Sequence, residues 1–257
     1  MIVHLDLTTV IISLVIGTAS GAIGAFIILR RMALVGDALS HVALPGIAIA
    51  LAYHIDPFWG VLVFCIAAAI IVWAIGQKTK LYFDALIGLL FTFSLAIGIL
   101  TIPDVEILES LFGGFEPLSP LVFFVITIAG ICSIIATFLF SKRFLFSMIS
   151  PDLAHTEMPK SRLYSLVLFI IFAFVVALGI KLVGTLLMGA LTIIPASISK
   201  NISRSITGYI FLSALLGGLI SFFGVVLASR FGYLPGPAIV LLGIGLFVLS
   251  LFFVKKS

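Results

Sequence analysis

The 257 residues carry 14 Lys and Arg against 10 Asp and Glu, a formal net charge of +4, yet 63% are hydrophobic and only 9% charged. No soluble domain of this length has an interior that could hide so much apolar surface, and the mean hydropathy of +1.41 marks an all-α polytopic membrane protein. No hydrophilic segment of domain size interrupts residues 1–257, which excludes an attached ATPase or nucleic-acid module and leaves one transmembrane domain.

Apolar runs at 9–29, 33–53, 57–76, 82–101, 119–140, 163–180, 183–199, 206–229 and 237–254 predict about nine transmembrane helices, with eight as the smaller count. The N-terminal stretch has neither a basic leader region nor a small-residue cleavage site, so no cleaved signal peptide is expected. In the first run Gly17 and Gly21 make a GxxxG step, with Gly24 one turn further on. Such a face lets two backbones approach closely in lipid, although glycine is also generally enriched in membrane helices.

The second run carries Asp37 and His41. A spacing of four puts both on one helix face, one turn apart. A carboxylate near the middle of a membrane helix costs about 2.5–3.5 kcal/mol on insertion scales, so it is normally kept for function. Carboxylate plus imidazole is a ligand pair for a divalent transition metal. The plainer reading is a capped helix start with an Asp–His hydrogen bond. Pro45 and Gly46 follow at once, either kinking the helix above the pair or serving routine packing. At the outer end of this run, His54 and Asp56 fit a solvated turn before Pro57 better than an ion relay. Asp84 begins a helix and reads as a cap.

Cys65 and Cys132 lie in apolar runs without metal-type spacing and read as small buried hydrophobes. Asp104, Glu106, Glu109 and Glu116 form an acidic external segment suited to attracting cations, to receiving a partner, or to a simple amphipathic helix. The longest inner connection, 141–162, contains Ser150-Pro151-Asp152-Leu153-Ala154-His155-Thr156-Glu157-Met158-Pro159. Ser150 as cap, Pro151 at the first helical position, Asp152 at the positive helix end and Pro159 as terminator predict one short helix near 151–158. Lys181 either repels unescorted cations or snorkels to the interface. The run at 183–199 is short and carries Pro195, so it is a full span or part of a broken or re-entrant element.

Of the 14 basic residues, only Lys181 and Arg230 fall on the side opposite the rest. The positive-inside rule then places the N-terminus outside and the C-terminus in the cytoplasm, with the helix near 151–158 on the cytoplasmic side.

Two blocks give the chain a family likeness: Phe26-Ile27-Ile28-Leu29-Arg30-Arg31-Met32-Ala33-Leu34-Val35-Gly36-Asp37-Ala38-Leu39-Ser40-His41 with Leu44-Pro45-Gly46, and Val183-Gly184-Thr185-Leu186-Leu187-Met188-Gly189-Ala190-Leu191 running on to Pro195-Ala196. Weaker echoes are Leu111-Phe112-Gly113-Gly114, Ile87-Gly88 and Ala96-Ile97-Gly98. Over nearly its whole length the chain resembles permease subunits of ATP-binding-cassette importers for manganese, zinc and iron. The resemblance implies a homodimeric permease in the cell membrane, working with two ATP-binding subunits and an external metal-binding protein. It implies that Asp37 and His41 contact the ion, and that Pro151, Asp152, Leu153, Ala154 and Glu157 belong to a coupling helix docked on the ATPase. Family members usually carry a glycine after that helix, where this chain reads Glu157-Met158-Pro159.

A two-fold axis through the pathway would gather two carboxylates and two imidazoles. Four such ligands suit tetrahedral zinc, or manganese and iron with water or carbonyls added; the lack of a nearby cysteine argues against copper(I). No permanently bound cofactor is expected, and the metal ion is cargo. No Walker A loop is present, so ATP hydrolysis belongs to a partner and the chain is not itself an enzyme. An ion-driven metal carrier would need more ionisable residues within its spans. An intramembrane metalloenzyme would need a third strong ligand.

Overall fold

Lipid offers no water to satisfy backbone N–H and C=O groups, so apolar runs close their hydrogen bonds inside helices. The computed structural model describes residues 6–79, 83–101, 111–112, 119–149 and 161–253. Among them are nine α-helices and no strand: α1 Leu7–Leu29, α2 Leu34–Ala52, α3 Pro57–Lys78, α4 Phe83–Thr101, α5 Pro120–Ile149, α6 Ser161–Val183, α7 Met188–Ile202, α8 Ile206–Phe231 and α9 Pro235–Ser250. A short 3-10 turn, Leu251–Phe253, continues the last helix. Seven of these (all but α4 and α7) are long and apolar enough to cross a membrane by length and composition.

The expected helices are present, and the one ambiguous run proves to be broken. Helix α6 continues to Val183, where Gly184 takes a φ of 85°. Residues 184–187 are non-helical, with Gly184 and Thr185 buried, and α7 then begins at Met188. At 1.5 Å per residue, its 15 residues reach about 22 Å, short of the roughly 30 Å hydrocarbon core.

Because the helices are apolar on every side, size rather than polarity separates interior from lipid-facing surface. Helix α1 lies at the centre, packed most extensively on α8 and also against α5, α6 and α7. Its buried face is rich in Gly17, Ala19, Ser20, Gly21, Ala22, Gly24 and Ala25. The GxxxG step is a packing device here. A Cβ on Gly17 would strike the carbonyl of Gly217, one on Gly21 that of Ser213, and one on Gly24 that of Thr192. Ser213 Oγ also donates to the Gly21 carbonyl across the contact, at 2.5 Å. Helix α5 shows the reverse pattern. Leu121, Phe124, Ile128, Ile131, Ile135 and Leu139 recur at helical spacing on its exposed side, while Val122, Ile126 and Thr137 face inward. Cys65 is buried as expected, but Cys132 is exposed on this outer side of α5, which corrects the sequence reading. An apolar run cannot tell a lipid-facing position from a buried one, since both are water-free.

Both turns flanking α2 bear directly on the sequence reading. Arg31 and His54 adopt left-handed φ values of 59° and 55°. In each, the chain closes a Schellman pattern: Met32 N donates to Ile27 O and Arg31 N to Ile28 O; Ile55 N donates to Ala50 O and His54 N to Leu51 O. Asp56 Oδ1 then accepts from Phe58 N at 2.9 Å and caps α3, with Pro57 at its first position. His54 and Asp56 thus serve the turn. Asp84 falls in the first turn of α4, one residue inside its start. The acidic residues Asp104, Glu106, Glu109 and Glu116, and the segment with Pro151, Asp152, Leu153, Ala154 and Glu157, lie outside the described residues.

Candidate functional site

Helix α2 is mostly buried and leans on α3, α4, α6 and α7. Its start is set deep in the bundle. Gly36 stands against the ring tip of Phe172, the central residue of α6, and Gly189 in the first turn of α7 approaches the Asp37 backbone. Asp37 is therefore early in its helix by sequence yet level with the middle of α6. A close approach of α2 to α3 (Gly46 against Gly60) and of α2 to α4 (Gly98 against Leu44) holds the other end.

On this helix His41 Nε2 lies 3.9 Å from Asp37 Oδ1. The imidazole side chain is 5% exposed and the carboxylate side chain 45%. The predicted pair is thus brought together on one face, histidine inward and aspartate open. The plainer reading of the pair loses both its parts. Ala33, not Asp37, occupies the N-cap, no side chain caps α2 among the described residues, and 3.9 Å is too long for a hydrogen bond.

The imidazole is oriented by Phe91 of α4, whose ring meets it edge-on at 4.9 Å and 81°. His41 Nδ1 is buried with no hydrogen-bond partner among the described residues. Ser40, between the pair in sequence and fully buried, places its Oγ 2.5 Å from the Thr185 carbonyl and 2.7 Å from the Asp37 carbonyl. Pro45 removes the amide that an uninterrupted helix would direct at the His41 carbonyl.

Chemically the pair offers one hard oxygen donor and one borderline nitrogen donor. With metal–ligand bonds of about 2.1 Å each, a tetrahedral angle sets the two donor atoms about 3.4 Å apart. The observed separation is roughly 0.5 Å wider, within reach of a rotamer adjustment of the exposed carboxylate. Among the described residues no group of three or more His, Cys, Asp or Glu side chains is gathered, so Asp37 and His41 stand as a pair of donor groups rather than a closed set.

Sequence reasoning did not single out Phe91, Ser40, Thr185 or Gly189 as neighbours of the pair. Thr185 and Gly189 do fall in the second block of family likeness, which was the one signal available for them. Phe91 is one phenylalanine among 24 and carries no signal at all.

Comparison with known proteins finds relatives along nearly the whole chain. Residues 4–254 match the sequence profile of the ABC 3 transport family. The manganese import system permease protein ScaB of Streptococcus gordonii is 32% identical, the match covering 99% of this chain and 93% of that protein. The high-affinity zinc uptake system membrane protein ZnuB of Haemophilus influenzae is 28% identical over 96% of this chain and 95% of its own length. Among solved structures, PsaBC from Streptococcus pneumoniae in complex with Fab superposes with a TM-score of 0.84 at 31% identity, covering 97% of this chain and 91% of the other.

Proposed function

Since the chain belongs to the ABC 3 transport family and is a multi-pass membrane protein, we propose that it imports a divalent transition metal as the membrane-spanning subunit of an ATP-binding-cassette importer. The cargo we infer is manganese or zinc, with iron(II) sharing the same ligand chemistry, because relatives named for manganese and for zinc both align along almost the whole chain. The chain is a transport subunit; ATP hydrolysis belongs to a separate partner.

Asp37 and His41 contact the ion in this reading. The observation that carries it is a half-open carboxylate beside a buried imidazole, 3.9 Å apart, at mid-bundle depth. Two donors bind a passing ion only loosely. A second copy of the chain across a two-fold axis doubles the set to two carboxylates and two imidazoles. Thiolate-free oxygen and nitrogen ligation suits a site that must also let the ion go. An external metal-binding protein delivers the ion, and the segment 151–158 docks on the ATPase. The basic-residue distribution supports an outer N-terminus and a cytoplasmic C-terminus.

Asp37→Asn tests the reading, since it keeps size and polarity while removing the charge. Uptake of manganese and zinc by cells producing the full importer, divided by the amount of assembled permease, is expected to fall at least about tenfold, because even losing an outer-sphere partner of a metal ligand typically costs 10–100-fold. Normal uptake per assembled complex would refute the contact.

A further inference from the structure

We infer that the break between α6 and α7 holds Asp37 and His41 in register, with Ser40 and Gly189 as positioning residues; this rests on the metal-contact reading above. The pair sits on α2, but α2 alone does not fix it. Ser40 Oγ lies within hydrogen-bond distance of two carbonyls, that of Thr185 in the break at 2.5 Å and that of Asp37 in its own helix at 2.7 Å. With one proton the hydroxyl donates to one of these carbonyls at a time, and donated to Thr185 it ties α2, within a turn of Asp37, to the buried non-helical segment. Gly184, with its φ of 85°, turns the chain at the end of α6 just before that carbonyl is presented.

The second tie is steric. A Cβ on Gly189 would sit 2.9 Å from Asp37 N and 3.0 Å from both Asp37 Cα and Cβ, so α7 reaches the aspartate only because this residue has no side chain. On the facing side a Cβ added to Gly36 would fall 3.4 Å from Gly189 Cα, close to ordinary contact, so the absent side chain of Gly189 is the one the approach depends on. The N-terminal turn of a helix favours negative charge beside it, which suits the carboxylate placed there. The far end of α7 is anchored independently: Ser199 Oγ donates to the Tyr209 carbonyl at 2.7 Å, and Asn201 Nδ2 to Ser250 Oγ at 2.9 Å. Helix α7 is thus a strut fixed on α8 and α9 at one end and on the Asp37 backbone at the other. The Asp37–His41 separation then depends on where the strut presses, since Phe91 of α4 orients the imidazole separately.

The test uses Co²⁺ alone as probe, on the purified permease–ATPase complex in detergent. Visible absorption reports both Co²⁺ affinity and coordination geometry. Ser40→Ala adds no volume and removes one hydroxyl; it is expected to weaken Co²⁺ binding about tenfold, the worth of one ordinary hydrogen bond, and to change the band shape. Gly189→Ala should act in the same direction; should it fail to assemble, Ser40→Ala decides alone. Ser13→Ala is the matched control, for it removes a fully buried serine's bond to a carbonyl on α1, outside both α2 and the strut, and should leave affinity within roughly twofold. Wild-type affinity and spectrum in Ser40→Ala, or equal weakening in Ser13→Ala, would overturn the positioning role. An Asp37→Asn complex that keeps the cobalt band would instead overturn the metal-contact reading itself.

Discussion

Gly21→Ala adds one methyl group at a point of close backbone approach in the α1–α8 contact. Its Cβ would fall on the Ser213 carbonyl oxygen, 2.9 Å from the carbonyl carbon and 3.2 Å from Ala214 Cα. Ordinary carbon contacts lie at about 3.5–4.0 Å, so the two helices must part locally by roughly 0.6 Å or more. A gap of that size forfeits about a quarter of the dispersion attraction of each lining pair. It also stretches the bond from Ser213 Oγ to the Gly21 carbonyl, worth about 0.6 kcal/mol in a membrane interior. With overpacking costs of about 1–3 kcal/mol, the expected destabilisation is about 2–3 kcal/mol, a shift of roughly 30- to 150-fold in the unfolding equilibrium. Gly245→Ala is the counterpart: nothing lies within 4 Å of its added Cβ, and α9 should gain about 0.5–1 kcal/mol from the better helix former. Detergent-induced unfolding in mixed micelles, followed by helical circular dichroism, measures both. The two substitutions should move stability in opposite directions. The same sign and size for both would refute the claim that backbone approach, rather than mere glycine enrichment, explains the GxxxG face.

Three further outcomes follow from the turns and the charge distribution. Asp56→Ala should cost about 1 kcal/mol of stability through the lost cap to Phe58 N while leaving metal uptake per assembled complex unchanged; an uptake defect beyond the loss of protein would make Asp56 an ion relay instead. His54→Gly should stabilise by about 1 kcal/mol, because its left-handed φ of 55° strains any residue with a Cβ, and the same unfolding assay would show it. Single cysteines placed at positions 6 and 257, in a chain lacking Cys65 and Cys132, should react with a membrane-impermeant reagent at 6 and not at 257 in intact cells; the reverse would invert the orientation and the docking side with it.

Much of the molecule is legible in the sequence because lipid simplifies folding. An apolar run of about 20 residues has one way to satisfy its backbone, so helix existence follows directly from hydropathy. The i,i+4 step of Asp37 and His41 is equally local: helix geometry alone sets them on one face. What hydropathy cannot carry is the order among apolar residues. Cys65 and Cys132 look alike in sequence, yet one is buried and the other faces outward, since both environments exclude water. Gly184 reads as one more membrane glycine, and only its φ of 85° places the break after α6. The depth of Asp37 is likewise a tertiary fact, visible once Gly36 meets Phe172 and Gly189 meets the Asp37 backbone. Thr185, Gly189 and Phe91 reach Ser40, Asp37 and His41 from across the fold, the three contacts spanning about 50 to 150 residues of chain, and no local periodicity encodes such separations. The sequence by itself therefore determined the helices, the metal-type residue pair and the family. The tertiary structure alone decided which faces meet, how deep the carboxylate lies and what holds it there, because those depend on the shapes of distant apolar surfaces that hydrophobicity does not distinguish.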